Sequence, residues 1–273
     1  MNSHLPPLAP DERLDRVNED LTLIQKKQGL TYGTDAFLLA AYLRPHPRAI
    51  AVELGSGTGI VSFLAATKQK VAHITAVEIQ ESFADLIGRN AEINGLDGRV
   101  VPLCSDLREL TPAQFGKEVD LVFSNPPYMK CDTGKRNLHD EKFIARHEVF
   151  GNIGDFCACA GRLLRHGGHF VCVWRPDRLT ELLAALHEAR LEPKRMTFVH
   201  ADGACEPCSV LVDAVKGGTP SLRVTPPLLL YLPRDPNAAS RVLTPEAQAI
   251  YEHCIFSGIF DPDENRKPVR KEP

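Results

Sequence analysis

The chain has 273 residues, of which 43% are hydrophobic and 25% are charged, as in ordinary globular proteins. Its apolar runs are shorter than the roughly 18 residues that a membrane helix needs, and its first residues lack the basic-then-apolar pattern of a signal peptide. A net charge of −3 argues against a protein that simply coats nucleic acid, but it leaves room for a local basic face. We therefore expect a cytoplasmic globular enzyme or binding protein with no membrane association.

Most of the eight cysteines lie among apolar residues, which is typical of free buried thiols. Cys205 and Cys208 form one Cys-x-x-Cys pair, but no second pair with zinc-site spacing accompanies it. We therefore expect no metal site.

From residue 49 onward, short β-rich runs alternate with helical runs. Such alternation predicts βαβ crossovers and an α/β fold with a doubly wound, mostly parallel sheet. The last two of seven strands are joined by a loop alone, so one of them is expected to run antiparallel. The predicted strands are 49–54, 72–79, 99–105, 119–125, 169–174, 194–200 and 209–216, and the predicted helices are 58–69, 81–96, 152–165 and 177–191.

The pattern also predicts how the chain is divided. Residues 1–20 are interpreted as an irregular N-terminal tail, and residues 21–216 as one domain that begins with a helical cap over 21–48. The Pro-rich residues 217–273 are interpreted as a C-terminal extension. The oligomeric state is left open.

A glycine-rich loop follows the first strand of the predicted sheet, in the run Glu53-Leu54-Gly55-Ser56-Gly57-Thr58-Gly59. A dinucleotide fingerprint needs a glycine where Ile60 stands, so the loop suits a nucleoside ligand without a pyrophosphate. Glu78 ends the second strand, where its carboxylate can accept from ribose hydroxyls. Asp106 follows the third strand, where it can accept from an adenine amino group. Singly, each feature is also explained by a turn or a helix cap. Together they predict an S-adenosylmethionine site formed by Glu53, Gly55, Gly57, Gly59, Glu78 and Asp106.

The fourth strand of the predicted sheet ends in Asn125-Pro126-Pro127-Tyr128. Two prolines remove backbone donors and favour extended geometry, so carbonyl acceptors face outward. The Asn125 amide oxygen and the Pro126 carbonyl can then accept from one planar amino group, while Tyr128 stacks on a flat substrate. The alternative is an ordinary turn. We predict Asn125, Pro126 and Tyr128 as catalytic residues, Pro127 as a further substrate contact, and Asn125 as a cofactor contact as well.

These ordered motifs resemble those of the class I amino-methyltransferases, which act on planar nitrogens with S-adenosylmethionine on a Rossmann-like fold. Four segments outside the core, 21–43, 145–148, 193–200 and 211–218, resemble the bacterial tRNA1(Val) adenine-N6-methyltransferase family. The resemblance implies an adenine N6 amine in tRNA as substrate. It also implies that Tyr32, Gly33, Thr34 and Asp35 cover the cofactor. Thr34 is also expected as a plain helix N-cap, a role that is compatible with the first.

A tRNA substrate needs basic residues near the pocket. Lys26 and Lys27 precede the predicted cofactor cover, and Lys130, Lys135 and Arg136 follow Tyr128. We predict that Lys130, Lys135 and Arg136 contact phosphates of the substrate, although a solvated loop explains the segment that carries them equally well. Alternative activities remain: methylation of a protein glutamine, as in release-factor enzymes; methylation of rRNA or DNA; and a regulatory module that binds S-adenosylmethionine or a nucleotide without catalysis. A nicotinamide oxidoreductase is the weakest alternative, since the third glycine is absent.

Overall fold

The alternating runs of the sequence form a mixed sheet with helices on both faces. A computed structural model describes residues 7–27, 32–127, 151–234 and 240–256. None of the helices in these ranges is long and apolar enough to cross a bilayer. The strands are β1 Glu12–Arg16, β2 Thr22–Lys26, β3 His46–Leu54, β4 Val71–Glu78, β5 Val100–Cys104, β6 Val119–Ser124, β7 Leu164–Trp174, β8 Leu191–His200, β9 Pro207–Lys216, β10 Arg223–Val224 and β11 Leu228–Leu229. The helices are α1 Thr34–Tyr42, α2 Ile60–Thr67, α3 Glu81–Ile93, α4 Ile153–Leu163, α5 Leu179–Glu188 and α6 Pro245–His253.

Within the described ranges the central sheet has nine strands, in the order β5-β4-β3-β6-β7-β9-β8-β10, and β11 also pairs with β8. Strands β3 to β7 are parallel to one another, whereas β9 is antiparallel to both β7 and β8. This arrangement confirms the predicted α/β fold with its antiparallel last strand. In register, Leu54 lies between Val77 of β4 and Ser124 of β6, so the ends of these three strands meet at one edge.

The core lies on both faces of this sheet because successive strand residues point to opposite sides. Ala51 and Phe123 pack with residues of α1 and α2 in one apolar cluster. Val52 and Val122 pack with residues of α4 and α5 in the other. Packing on the two faces of the sheet therefore places α1 and α2 on one side of the strand ends and α4 and α5 on the other. The candidate site lies at these strand ends.

The N-terminal residues form a hairpin, so the prediction of an irregular tail is wrong for Glu12–Arg16. Strand β1 pairs antiparallel with β2, and α3 binds the free edge of β2 through asparagine amides. Asn90 Oδ1 accepts from the Ile24 amide at 2.7 Å and its Nδ2 donates to the Ile24 carbonyl at 3.2 Å. Asn94 makes the same pair of bonds with Thr22. The helical cap predicted over residues 21–48 is therefore only partly correct. Residues Thr22–Lys26 form β2, and among the described residues of this range only Thr34–Tyr42 is helical.

The C-terminal extension is also ordered where the structure describes it, which corrects its interpretation as irregular. Strands β10 and β11 lengthen the sheet beside β8. Helix α6 packs on α1, with the rings of Tyr251 and Phe37 5.4 Å apart. Leu228 and Ile250 are buried in the same apolar cluster as α1. Burial of these side chains explains the order; the domain boundaries at 21 and 216 stay predictions.

Candidate cofactor and amine site

The glycine loop joins the end of β3 to the start of α2. Its three glycines have positive φ angles, 67° at Gly55, 53° at Gly57 and 80° at Gly59. A Cβ at Gly59 would lie 2.9 Å from the Phe63 ring, so the turn into α2 requires glycine. At Gly57, by contrast, a Cβ would meet no described atom within 4 Å. The backbone there is open to a ligand.

Glu78 joins the end of β4 to this loop. Its carboxylate accepts from the Gly57 amide at 2.9 Å and from the Gln80 amide at 3.0 Å, and the residue is buried. The structure therefore brings together the glycine loop and the acid that were predicted to share one ligand.

Glu53, the last acid of β3, is fully buried beneath the loop. It accepts from the Ser62 amide at 3.1 Å and from the Ser62 hydroxyl. Burial raises the pKa of Glu53 to about 8, and the nearby Glu78 acts in the same direction. Among the described residues, neither carboxylate forms an ion pair. A positively charged ligand beside these two buried acids would favour their charged forms, so the pair suits a cation.

Asp106 follows β5 and begins a 3-10 turn over Leu107–Glu109. Its carboxylate accepts from the Arg108 amide at 2.9 Å and from Arg108 Nη2 at 2.5 Å. Hydrogen bonding to the Arg108 side chain lowers the pKa of Asp106. The Asp106 side chain is 21% exposed and therefore still open to a ligand donor.

Asn125 follows β6, whose end is held to β3 by the Ser124 hydroxyl, a donor to the Leu54 carbonyl at 2.7 Å. Asn125 Oδ1 is buried, yet it has no hydrogen-bond partner among the described residues. An unsatisfied buried acceptor costs about 1–3 kcal/mol, so a ligand donor would recover that energy. Pro126 is buried and Pro127 is exposed. Tyr128, Lys130, Lys135 and Arg136 lie outside the described residues.

The residues predicted to cover the cofactor begin α1, as the resemblance implied. Gly33, not Thr34, is the N-cap, so the N-cap role predicted for Thr34 is wrong. Asp35 accepts from the Ser209 hydroxyl at 2.8 Å, at the start of β9. Tyr32 packs edge-on against Phe37, with ring centroids 5.9 Å apart. These contacts lie toward β9 and within α1, so cofactor binding by Tyr32, Thr34 and Asp35 stays a prediction.

The two N-terminal lysines are engaged within the hairpin segment. Lys26 Nζ lies 3.0 Å from Asp11 and 3.5 Å from Glu12, and Lys27 Nζ donates to the Pro10 carbonyl at 2.8 Å. Contact with a nucleic acid at these lysines would therefore compete with bonds that they already make.

The chain is similar to known proteins over most of its length. A family model described as "Methyltransferase small domain" matches residues 27–188. The chain belongs to that family. This confirms the predicted methyltransferase class and, with it, S-adenosylmethionine as the cofactor.

Several curated relatives of this methyltransferase carry one name, tRNA1(Val) (adenine(37)-N6)-methyltransferase. The relative from Phocaeicola vulgatus is 27% identical over 71% of this chain and 80% of its own. The relative from Porphyromonas gingivalis is 27% identical over 66% of this chain and 72% of its own. A crystal structure of a predicted O-methyltransferase from Agrobacterium tumefaciens aligns with a TM-score of 0.63 at 21% identity, covering 82% of this chain and 98% of that one. The structural match supports the fold alone.

The candidate site contains two residues that could not be predicted from the sequence. Ser62 holds Glu53, and Arg108 holds Asp106. Ser62 had a weak signal, since it is a hydroxyl in the otherwise apolar run Ile60–Ala66. Arg108 had none, because arginines near acids are common on protein surfaces.

Proposed function

We propose that this methyltransferase transfers a methyl group from S-adenosylmethionine to the N6 amine of an adenine in tRNA. The observation that carries the proposal is the buried Asn125 Oδ1, which lacks a partner in the described parts of the chain. A planar exocyclic amine is a donor of the size and polarity that this acceptor needs. The names of the curated relatives support adenine in tRNA as the source of that amine.

The residues divide the work between cofactor and substrate. Glu78 and the Gly57 backbone would bind the ribose side of the cofactor, Asp106 would accept from its adenine amine, and Glu53 would lie beneath its charged part. When bound, S-adenosylmethionine supplies an electrophilic methyl group and leaves as S-adenosylhomocysteine.

Asn125 would act on the substrate amine. By accepting one N–H bond while the Pro126 carbonyl accepts the other, it would draw the nitrogen lone pair out of conjugation and aim it at the methyl carbon. The nitrogen–carbon bond forms as the sulfur–carbon bond breaks, and the sulfur keeps that electron pair. The nitrogen then loses one proton to water. Asn125 contributes most when positive charge develops on nitrogen, so its effect falls on the transition state.

Recognition of the RNA would rest on the segment after Pro127. Tyr128 would stack on the target base, and Lys130, Lys135 and Arg136 would contact phosphates. A tRNA substrate also implies that the reaction takes place in the cytoplasm.

The test compares two substrates for the purified protein. Bulk tRNA from a strain that lacks the gene for this protein would be incubated with labelled S-adenosylmethionine. Unmethylated release factor would be incubated in the same way. We expect label in tRNA, recovered as N6-methyladenosine after digestion. Label in release factor alone would replace adenine by a protein glutamine as substrate, and label in neither would overturn the tRNA proposal.

A further inference from the structure

An arginine from α4 reaches across to the turn that follows Asp106. Arg162 Nε donates to the Leu110 carbonyl at 2.6 Å. Its Nη2 donates to the Leu107 carbonyl at 3.0 Å and to the Arg108 carbonyl at 3.2 Å. One guanidinium therefore binds three carbonyls of a four-residue stretch that is more than 50 residues away in sequence.

These carbonyls belong to the same turn that carries Asp106. The Leu107 carbonyl also accepts from the Leu110 amide at 3.4 Å, but a short helix leaves its later carbonyls without helical partners. A guanidinium has enough donors in one plane to bind several such carbonyls. Leu107 and Leu110 are buried in the apolar cluster that contains Phe156 of α4. The turn is thus attached to α4 by the packing of Leu107 and Leu110 and by the hydrogen bonds of Arg162.

Asp106 stands at the other end of this turn, where it is the N-cap. Its carboxylate accepts from both the amide and the guanidinium of Arg108, so the direction of the carboxylate depends on the position of that residue. The peptide unit that carries the Arg108 amide also carries the Leu107 carbonyl, and Arg162 binds this carbonyl as well as that of Arg108. Movement of Arg108 would therefore move the Asp106 carboxylate.

We propose that Arg162 is a positioning residue that orients Asp106 toward the adenine amine of the cofactor and so sets selectivity for adenine. The inference rests on the proposed role of Asp106 in the cofactor site. Adenine presents an amino donor where hypoxanthine presents a carbonyl acceptor. A fixed carboxylate favours the donor and disfavours the acceptor, whereas a carboxylate that is free to turn away distinguishes them poorly.

The measurement is the ratio of two dissociation constants, for S-adenosylhomocysteine and for S-inosylhomocysteine, obtained by calorimetry. In the wild type we expect the adenine ligand to bind at least about tenfold more tightly. In Arg162→Ala the ratio should fall to within about threefold, and Arg162→Lys should be intermediate, because an ammonium replaces only part of the planar contact. Asp106→Ala should remove the preference, and adding Arg162→Ala to it should change nothing further.

Arg165→Ala is the matched control. Arg165 lies at the other end of the sheet, where its Nε donates to Asp120 at 2.7 Å, so its loss should leave the ratio unchanged. A ratio of two affinities does not depend on the fraction of protein that is folded, which separates positioning from a loss of stability. If Arg162→Ala fails to fold, the ratio of dissociation constants measured for Arg162→Lys tests the inference. An unchanged ratio in the Arg162 variants, or in Asp106→Ala, would overturn the inference. Because no RNA enters the experiment, its outcome is independent of the tRNA proposal.

Discussion

The backbone amide of Gly57 donates to the carboxylate of Glu78 at 2.9 Å, across 21 residues of sequence. This bond joins the ends of β3 and β4, two neighbouring strands of the parallel sheet, at the point where the loop backbone is open. The carboxylate thus shapes the loop and stands beside the space that a ligand would fill.

Glu78→Ala should therefore weaken binding of S-adenosylmethionine by about 1–3 kcal/mol, the usual loss for hydrogen bonds to a charged group. Calorimetry would measure the change in dissociation constant. Glu81→Ala, which removes an exposed acid from the first turn of α3, is the control and should bind normally. Equal affinity in the two variants would contradict the placement of the cofactor at Glu78.

The buried Glu53 should make the stability of the ligand-free protein depend on pH. Burial raises its pKa from 4.5 to about 8 in the folded chain. Between these two pH values the folded state therefore holds a proton on Glu53 that the unfolded state has lost. The stabilisation is complete below about pH 4.5 and is lost as the pH rises toward 8. Glu53→Gln cannot titrate, so its melting temperature should fall less than that of the wild type between pH 5 and 8. Parallel curves would show that Glu53 titrates normally.

The asparagine pairing between α3 and β2 should contribute to stability. Asn90 is fully buried, and both of its bonds run to Ile24. Asn90→Ala leaves a buried amide and a buried carbonyl without partners, so we expect a loss of about 1–3 kcal/mol in urea unfolding. Asn18→Ala, which removes only an exposed bond to the Asp20 amide in the hairpin loop, should cost less. A loss in Asn90→Ala no larger than in this control would mean that the hairpin is held by apolar packing alone.

If tRNA is the substrate, the reaction should depend steeply on salt. Each phosphate contact releases a counterion, so log affinity should fall by roughly one per contact for each decade of salt. Reversing the charges of Lys130 and Lys135 should raise KM for tRNA and flatten this slope between about 50 and 200 mM salt. Binding of S-adenosylmethionine to the same variant serves as the internal control and should be unchanged. An unaltered slope would exclude these lysines as phosphate contacts.

The sequence predicted the parallel strands and the acids at their ends because both have short-range signals. A short apolar run marks a buried strand such as β3, and glycines at its end mark a close approach of backbone and ligand. The hairpin was missed because its stability depends on Asn90 and Asn94, whose partners are about 70 residues away. The same holds for α6, whose order depends on packing against Phe37.

Within the site, the residues that were predicted are those that carry their own chemistry. Those that were missed act through another residue. Ser62 acts on Glu53, and the significance of Arg162 is visible only once the turn after Asp106 lies against α4. Such contacts have no fixed spacing in sequence, so a pattern of residue types does not reveal them.

The central claim is that Asn125 accepts from the amine that receives the methyl group. The measurement is steady-state methylation of tRNA from a deletion strain by the wild type and by Asn125→Ala, with N6-methyladenosine counted by mass spectrometry and S-adenosylmethionine affinity measured in parallel. Loss of one preorganised acceptor predicts a kcat lower by about 10²–10³-fold, with a much smaller change in the affinity for S-adenosylmethionine. Near-normal turnover by Asn125→Ala would contradict the account.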